Sequence, residues 1–108
     1  MAVEQRDGAI VVKLGGELDL YNAPVLRKAL LEAAREAPER LVLDLAEVEF
    51  IDSTALGALI EARGSLPERR GLLLAAPARE TRRALQVSGL DRHLPVHDSV
   101  EDALASSR

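Results

Sequence analysis

The amino-acid sequence predicts a single α/β domain: a small mixed β-sheet with an N-terminal hairpin, followed by successive β-α units with about four helices. Asp7-Gly8 separates two short extended segments, which is the pattern of a tight hairpin turn. After it, short apolar runs alternate with segments whose apolar residues recur at helical spacing, and this alternation is typical of parallel strands joined by helices. A chain of 108 residues has the length of one domain, so we expect residues 1–108 to form one unit.

Composition restricts the class of protein. Hydrophobic residues make up 47% of the chain but aromatic residues only 2%, so the core must consist of Leu, Val, Ile and Ala. A net charge of −4 argues against direct binding to nucleic acid. The chain has no cysteine, which excludes disulfides and thiolate metal sites. We find neither a signal-peptide pattern nor an apolar run near the ~18 residues of a membrane span, and we expect a cytoplasmic protein without membrane insertion.

The first elements are predicted from turn residues. Val3 to Arg6 and Ala9 to Leu14 are expected to pair as the hairpin. Gly15-Gly16 is expected to break the second strand as a bulge or a bend, since no phosphate-binding loop pattern follows it.

A helix is predicted next, with Asn22 as its cap, Pro24 in its first turn and Pro38 beyond its end. Its apolar stripe consists of Leu26, Ala29, Leu30, Ala33 and Ala34.

The remaining elements follow in the same way. Leu41 to Leu45 reads as a buried strand, and a short polar loop is expected to lead from it to the central helix. Asp44 at the end of that strand is expected to accept hydrogen bonds from nearby backbone N–H groups. The predicted later elements are a polar turn at Gly64 to Arg70, a strand at Gly71 to Ala76, a helix at Ala78 to Val87 ending at Gly89, a strand at Leu94 to Val96, a helix capped by Ser99, and a frayed tail from Ser106.

The central stretch contains three consecutive polar residues, Asp52, Ser53 and Thr54, where the chain enters a helix. Side-chain oxygens at such a position cap the free N–H groups of the first turn. The same N–H groups and the positive end of the helix dipole also favour an added phosphate. The residues alone therefore leave two interpretations open, a helix cap and a phosphate acceptor.

Several segments together resemble the STAS domain family, and more narrowly the bacterial anti-sigma-factor antagonists. They are Gly16-Glu17-Leu18-Asp19 before a helix that carries Ala23, the strand Leu41-Val42-Leu43-Asp44-Leu45, the stretch Phe50-Ile51-Asp52-Ser53-Thr54-Ala55-Leu56-Gly57, and Leu85 through Ser88-Gly89-Leu90-Asp91 followed by Pro95-Val96. The resemblance covers nearly the whole chain, and its most specific part is the Asp-Ser-Thr segment. Ala55 stands where many members have glycine, a change that favours the helix and keeps the hydroxyl.

The resemblance implies a phosphorylation switch. The serine that matches Ser53 is phosphorylated by a kinase that is itself the anti-sigma factor. The unphosphorylated form binds this serine kinase and frees the sigma factor for transcription, and a separate serine phosphatase resets the switch. Asp19 and Tyr21 are expected beside Asp52, Ser53 and Thr54 in the partner-binding surface.

Two other classes of function make different demands on the sequence. STAS-like modules also serve as scaffold subunits or as partners of membrane transporters, without phosphorylation. A serine hydrolase would need a Gly-x-Ser-x-Gly turn and a histidine base, and Ser53 lacks those neighbours. His93 and His97 show no metal-ligand spacing. We therefore expect a binding protein with no enzymatic activity, no cofactor and no bound metal.

Overall fold

A computed structural model describes residues 1–66 and 71–106. In chain order the elements are β1 (Ala2–Arg6), β2 (Ala9–Leu18), α1 (Ala23–Arg35), β3 (Arg40–Ile51), α2 (Ser53–Ser65), β4 (Leu72–Ala75), α3 (Arg79–Val87), a 3-10 turn (Leu90–Arg92), β5 (Val96–His97) and α4 (Val100–Ala105). The predicted α/β class and the order of elements are confirmed.

The strands form one mixed sheet in the order β1-β2-β3-β4-β5. β1 is antiparallel to β2, and every later pair is parallel. Each strand therefore lies beside its neighbour in sequence, as the short connections predicted. In the hairpin, Asp7 and Gly8 have φ angles of 43° and 85°, the consecutive positive values that a type I′ turn requires.

The middle of the sheet differs from the prediction, because β2 and β3 are both longer than expected. The bulge predicted at Gly15-Gly16 is confirmed by register shifts between Lys13 and Gly15 and between Gly16 and Glu17, but β2 continues past it to Leu18 instead of ending at Leu14. The predicted polar loop after Leu45 is also wrong, since β3 runs unbroken to Ile51. The residues of β3 after Leu45 pair with the C-terminal part of β2, and this pairing satisfies their backbone N–H and C=O groups. The pairing overrides the low strand propensity of the polar residues among them.

The two faces of the sheet are covered unequally. Alternate residues of a strand point to opposite faces. On one face, Val12, Leu43 and Leu74 pack with buried residues of α1, α2 and α3 in the larger apolar cluster. On the other face, Val11, Val42 and Leu73 pack with α4. The central strands are buried on both sides, which explains their continuous apolar sequence.

The helix ends agree with most of the capping predictions. Ser99 Oγ accepts a hydrogen bond from Asp102 N at 3.0 Å and begins α4, and Gly89 follows α3 with a left-handed φ of 77°. Asp44 Oδ1 accepts a hydrogen bond from Ala46 N at 3.0 Å, the local role expected of it.

The prediction that Asn22 caps α1 with its side chain is wrong. Asn22 precedes α1, but its Nδ2 donates to the carbonyl of Glu17 instead. Asp19 Oδ1 accepts the free N–H groups of Tyr21 and Asn22, both at 3.1 Å. The first N–H of α1, that of Ala23, donates to the backbone carbonyl of Asp19 at 2.8 Å, so Asp19 supplies the bonds before α1 and Asn22, itself in a helical conformation, makes no side-chain cap.

Three smaller predictions agree only in part with the structure. The last strand is Val96–His97 instead of Leu94 to Val96, because Leu94 is buried in the core. Gly64 and Ser65 belong to α2 and Leu66 is its C-cap, while residues 67–70 of the predicted turn lie outside the described residues. Of the predicted tail, Ser106 Oγ donates to the carbonyl of Ala103, and residues 107–108 lie outside the described residues.

Within residues 1–66 and 71–106, none of the helices combines the length and the apolar character needed to cross a membrane.

Candidate functional site at the start of helix α2

The junction between β3 and α2 is held by Asp52. This residue has extended backbone angles, φ −108° and ψ 178°, and its Oδ1 accepts a hydrogen bond from Ala55 N at 3.0 Å. Extended geometry and a bond to the third helical residue define an N-cap. Asp52 therefore makes the cap of α2.

Ser53 and Thr54 are the first two residues of α2, and both are exposed. Among the side-chain hydrogen bonds of the described residues, none involves the hydroxyl of Ser53 or Thr54. Because Asp52 provides the cap, the Ser53 hydroxyl is free to react or to bind. It also lies at the N-terminus of α2, where the free backbone N–H groups and the helix dipole favour negative charge.

The loop between β2 and α1 lies against this junction. Leu20 N donates to Asp52 Oδ2 at 3.0 Å, and Asp52 N donates to the carbonyl of Leu18 at 3.0 Å. The structure thus brings the loop that carries Asp19 and Tyr21 next to the start of α2, although these segments are about thirty residues apart in sequence.

Three large apolar side chains at the carboxyl ends of β2 and β3 are exposed. Tyr21 is 87% exposed, Leu20 62% and Phe50 53%. We call these three residues the apolar rim. Leu20 and Tyr21 belong to the loop that bonds Asp52, and Phe50 precedes Asp52 by two residues, so all three lie near the start of α2. Exposed apolar side chains near an exposed hydroxyl indicate a surface that a protein partner covers.

Sequence reasoning identified Tyr21 but missed Leu20 and Phe50. Phe50 is an apolar residue next to buried Ile51, and because successive residues of a strand point to opposite faces, its side chain lies on the face opposite Ile51 and is exposed. Their positions in the sequence could have indicated them, because Leu20 lies between Asp19 and Tyr21 and Phe50 precedes Asp52 by two residues.

A shallow cleft between α1 and α2 adjoins this surface. Its lining includes Leu20, Pro24, Thr54 and Gly57, and an ion pair between Arg27 Nε and Glu61 Oε2, 2.8 Å long, spans the two helices beside it. The cleft extends the exposed surface from Thr54, next to Ser53, along α1 and α2 as far as Arg27 and Glu61.

The two histidines of the chain lie away from this surface. His97 lies on β5, which β4 separates from β3, and His93 follows the 3-10 turn. Among the described residues, no group of three or more His, Cys, Asp or Glu side chains is arranged to hold a metal ion. The arrangement at α2 is an exposed pair of hydroxyl side chains at a helix start, next to a loop with exposed apolar side chains.

Comparison with known proteins agrees with this geometry. The STAS domain family matches residues 1–103. Anti-sigma-F factor antagonist RsfB of Mycobacterium tuberculosis is 32% identical over 108 residues, which is 100% of this chain and 88% of the relative.

Solved structures show the same fold. An anti-sigma factor antagonist from Mycobacterium paratuberculosis superposes with a TM-score of 0.88 at 36% identity, over 95% of this chain and 88% of that one. A sulfate transporter family protein from Wolinella succinogenes gives a TM-score of 0.75 at 30% identity, over 91% of this chain and 83% of that one. With its five-stranded mixed sheet, its Asp-Ser-Thr helix start and a family match across nearly its whole length, the chain belongs to the STAS domain family.

Proposed function

We propose that this chain is an anti-sigma-factor antagonist. In its unphosphorylated form it binds an anti-sigma factor that is also a serine kinase, and the sigma factor is thereby released for transcription. Relatives of that name, 32% and 30% identical to this chain over nearly its full length, support the assignment. Its role is to bind a partner, and Ser53 is a substrate of that partner.

The observation that carries the proposal is the position of Ser53. Ser53 is the first residue of α2 and its side chain is exposed. Asp52 caps the helix, so the Ser53 hydroxyl is not used as a cap. The apolar rim lies next to it and supplies apolar area for association. A kinase bound over the rim would meet the Ser53 hydroxyl directly.

The same position explains how a phosphate would switch binding. A phosphoserine carries about −1.5 to −2 units of charge. At the start of α2 it is favoured by roughly 0.3–1 kcal/mol, so the fold tolerates it. In a packed interface the dianion must be desolvated or repelled, at a cost of several kcal/mol, and each ~1.4 kcal/mol weakens affinity tenfold. Phosphorylation therefore changes binding far more than shape, and a serine phosphatase restores the binding form.

Incubation with the cognate kinase and ATP tests the assignment. We expect one phosphate on the unchanged protein by intact mass, none on Ser53→Ala, and one on the neighbouring control Thr54→Ala. Calorimetric titration of the kinase should then give an affinity for the phosphorylated protein that is at least about a hundredfold weaker. Equal affinities of the two forms would refute the switch.

The alternative is a STAS module that acts without phosphorylation, as a scaffold subunit or a transporter partner. The likeness to the sulfate transporter family protein favours it as second candidate. It predicts that the kinase neither binds nor modifies the protein, so the same experiment separates the two functions.

A further inference from the structure

We infer that Asp52 is a positioning residue that locks the Leu20–Tyr21 loop against the start of α2, so that Leu20, Tyr21 and the Ser53 hydroxyl form one surface for the partner kinase. This inference rests on the proposed function. It assigns Asp52 a role beyond capping, and one different from direct contact with the partner.

Both oxygens of the Asp52 carboxylate are engaged. Oδ1 accepts from Ala55 N in α2 and Oδ2 accepts from Leu20 N in the loop, each at 3.0 Å. Hydrogen bonds to a carboxylate are stronger than those between neutral groups. One side chain therefore ties two segments that are distant in sequence.

The other side-chain bonds of the loop lie within it or reach back to the end of β2. Asp19 Oδ1 accepts from Tyr21 N and Asn22 N, and Asn22 Nδ2 donates to the carbonyl of Glu17. These bonds shape the loop but do not attach it to α2. Among the side-chain hydrogen bonds of the described residues, the bond from Leu20 to Asp52 is the one that joins the loop to the helix start.

Fixing this loop matters because it presents Leu20 and Tyr21, which are exposed. Apolar side chains held in place before binding lose less conformational entropy when a partner covers them. Since Asp52 is partly buried and already accepts two N–H groups, its carboxylate contributes by positioning the loop.

Asp52→Ser separates capping from positioning. Serine is as good an N-cap as aspartate, but its single short hydroxyl does not reach both Ala55 N and Leu20 N. Asp52→Asn is a second variant that keeps a cap and has only one carbonyl oxygen to offer. Asp44→Asn is the matched control, because that carboxylate also accepts a backbone N–H, from Ala46, on β3 outside the candidate site.

Amide hydrogen exchange tests the positioning without any partner. In Asp52→Ser we expect exchange at the Leu20 amide to become at least about tenfold faster, while the Ala55 amide keeps its protection. Asp44→Asn should leave both amides unchanged. Unaltered exchange at Leu20 in both Asp52 variants would overturn the inference.

Titration of the partner kinase tests the consequence. We expect Asp52→Ser to bind roughly tenfold more weakly than the unchanged protein, and Tyr21→Ala to add little further loss once Asp52 is replaced. Fully additive losses, or unchanged affinity of Asp52→Ser, would overturn the inference. If the unchanged protein itself does not bind the kinase, the proposed function fails, and the exchange at Leu20 still decides whether Asp52 holds the loop.

Discussion

Three neighbouring residues of similar capping ability have different roles at the start of α2. Asp52, Ser53 and Thr54 all belong to types that cap helices, yet Asp52 alone has the extended conformation of an N-cap. Ser53 is already helical, so its Oγ is not needed for the cap and stays exposed. The sequence left open which of the three caps the helix, and the backbone angles assign the cap to Asp52.

A glycine outside the site shows how backbone conformation alone affects stability. Gly89 has a φ of 77°, and an added Cβ would meet no atom within 4 Å. We therefore expect Gly89→Ala to lower the free energy of unfolding by roughly 1–2 kcal/mol, the cost of a left-handed conformation for an L-residue. Urea denaturation measures the change.

Gly57 provides the control for this substitution. It lies in α2 with open space around a built Cβ and has an ordinary helical φ, so Gly57→Ala should raise the free energy of unfolding by about 0.5–1 kcal/mol. If both variants shift stability in the same direction, the conformational explanation for Gly89 is wrong.

At the scale of secondary-structure elements, β2 and β3 show what local sequence does not encode. Gly15-Gly16 and the polar residues after Leu45 argue locally against strands, yet the two segments pair with each other up to Leu18 and Ile51. Helix ends were predicted better, because Gly89 and Ser99 act on bonds within a few residues. Strand length depends on a partner strand that lies about thirty residues away along the chain.

An ion pair crosses these two strands at the bulge. Lys13 Nζ lies 2.6 Å from Glu47 Oε2, and both side chains are exposed. The hydrogen bond from Lys13 lowers the pKa of the Glu47 carboxyl below its ordinary value, and the same bond raises the pKa of Lys13. The contribution of Glu47 to stability is therefore present above its unfolded pKa and is lost as pH falls through its folded pKa. The contribution of Lys13 is present below its unfolded pKa and is lost as pH rises through its folded pKa.

We accordingly expect Glu47→Gln to be slightly less stable than the unchanged protein at neutral pH, and this difference to vanish as acid protonates the carboxylate. The effect is small because exposed pairs are screened by solvent and salt. Urea denaturation across a pH series measures it. Glu49→Gln, which removes an exposed carboxylate outside the ion pairs of the described residues, is the control and should show no such trend. A Glu47→Gln deficit that persists in acid would contradict the ion-pair explanation.

At the scale of the whole molecule, the core and the candidate site are largely separate. The larger cluster packs the sheet against three helices, while Ser53 and the apolar rim lie at the carboxyl ends of the strands, outside that cluster. Ser53 makes no side-chain hydrogen bond to the described part of the fold, so modification there breaks no such bond.

We therefore expect phosphorylation of Ser53 to change the free energy of unfolding by less than about 1 kcal/mol, because the charge meets the favourable end of α2 and displaces no packed atom. Urea denaturation of the enzymatically phosphorylated protein measures this, with Ser53→Ala treated identically as the control. A much larger destabilisation would mean that the switch acts by disrupting the fold.

The sequence by itself determined the order of elements, the hairpin turn, most helix ends and the hydroxyl residues at the start of α2. These features depend on dihedral preferences, capping bonds and apolar periodicity within a few residues of each other. Only the tertiary structure decided how far β2 and β3 extend, that Leu20 and Phe50 are exposed, and that Asp52 bonds Leu20. Those outcomes depend on which distant segment supplies a backbone partner or covers a side chain, and a local pattern does not specify that partner.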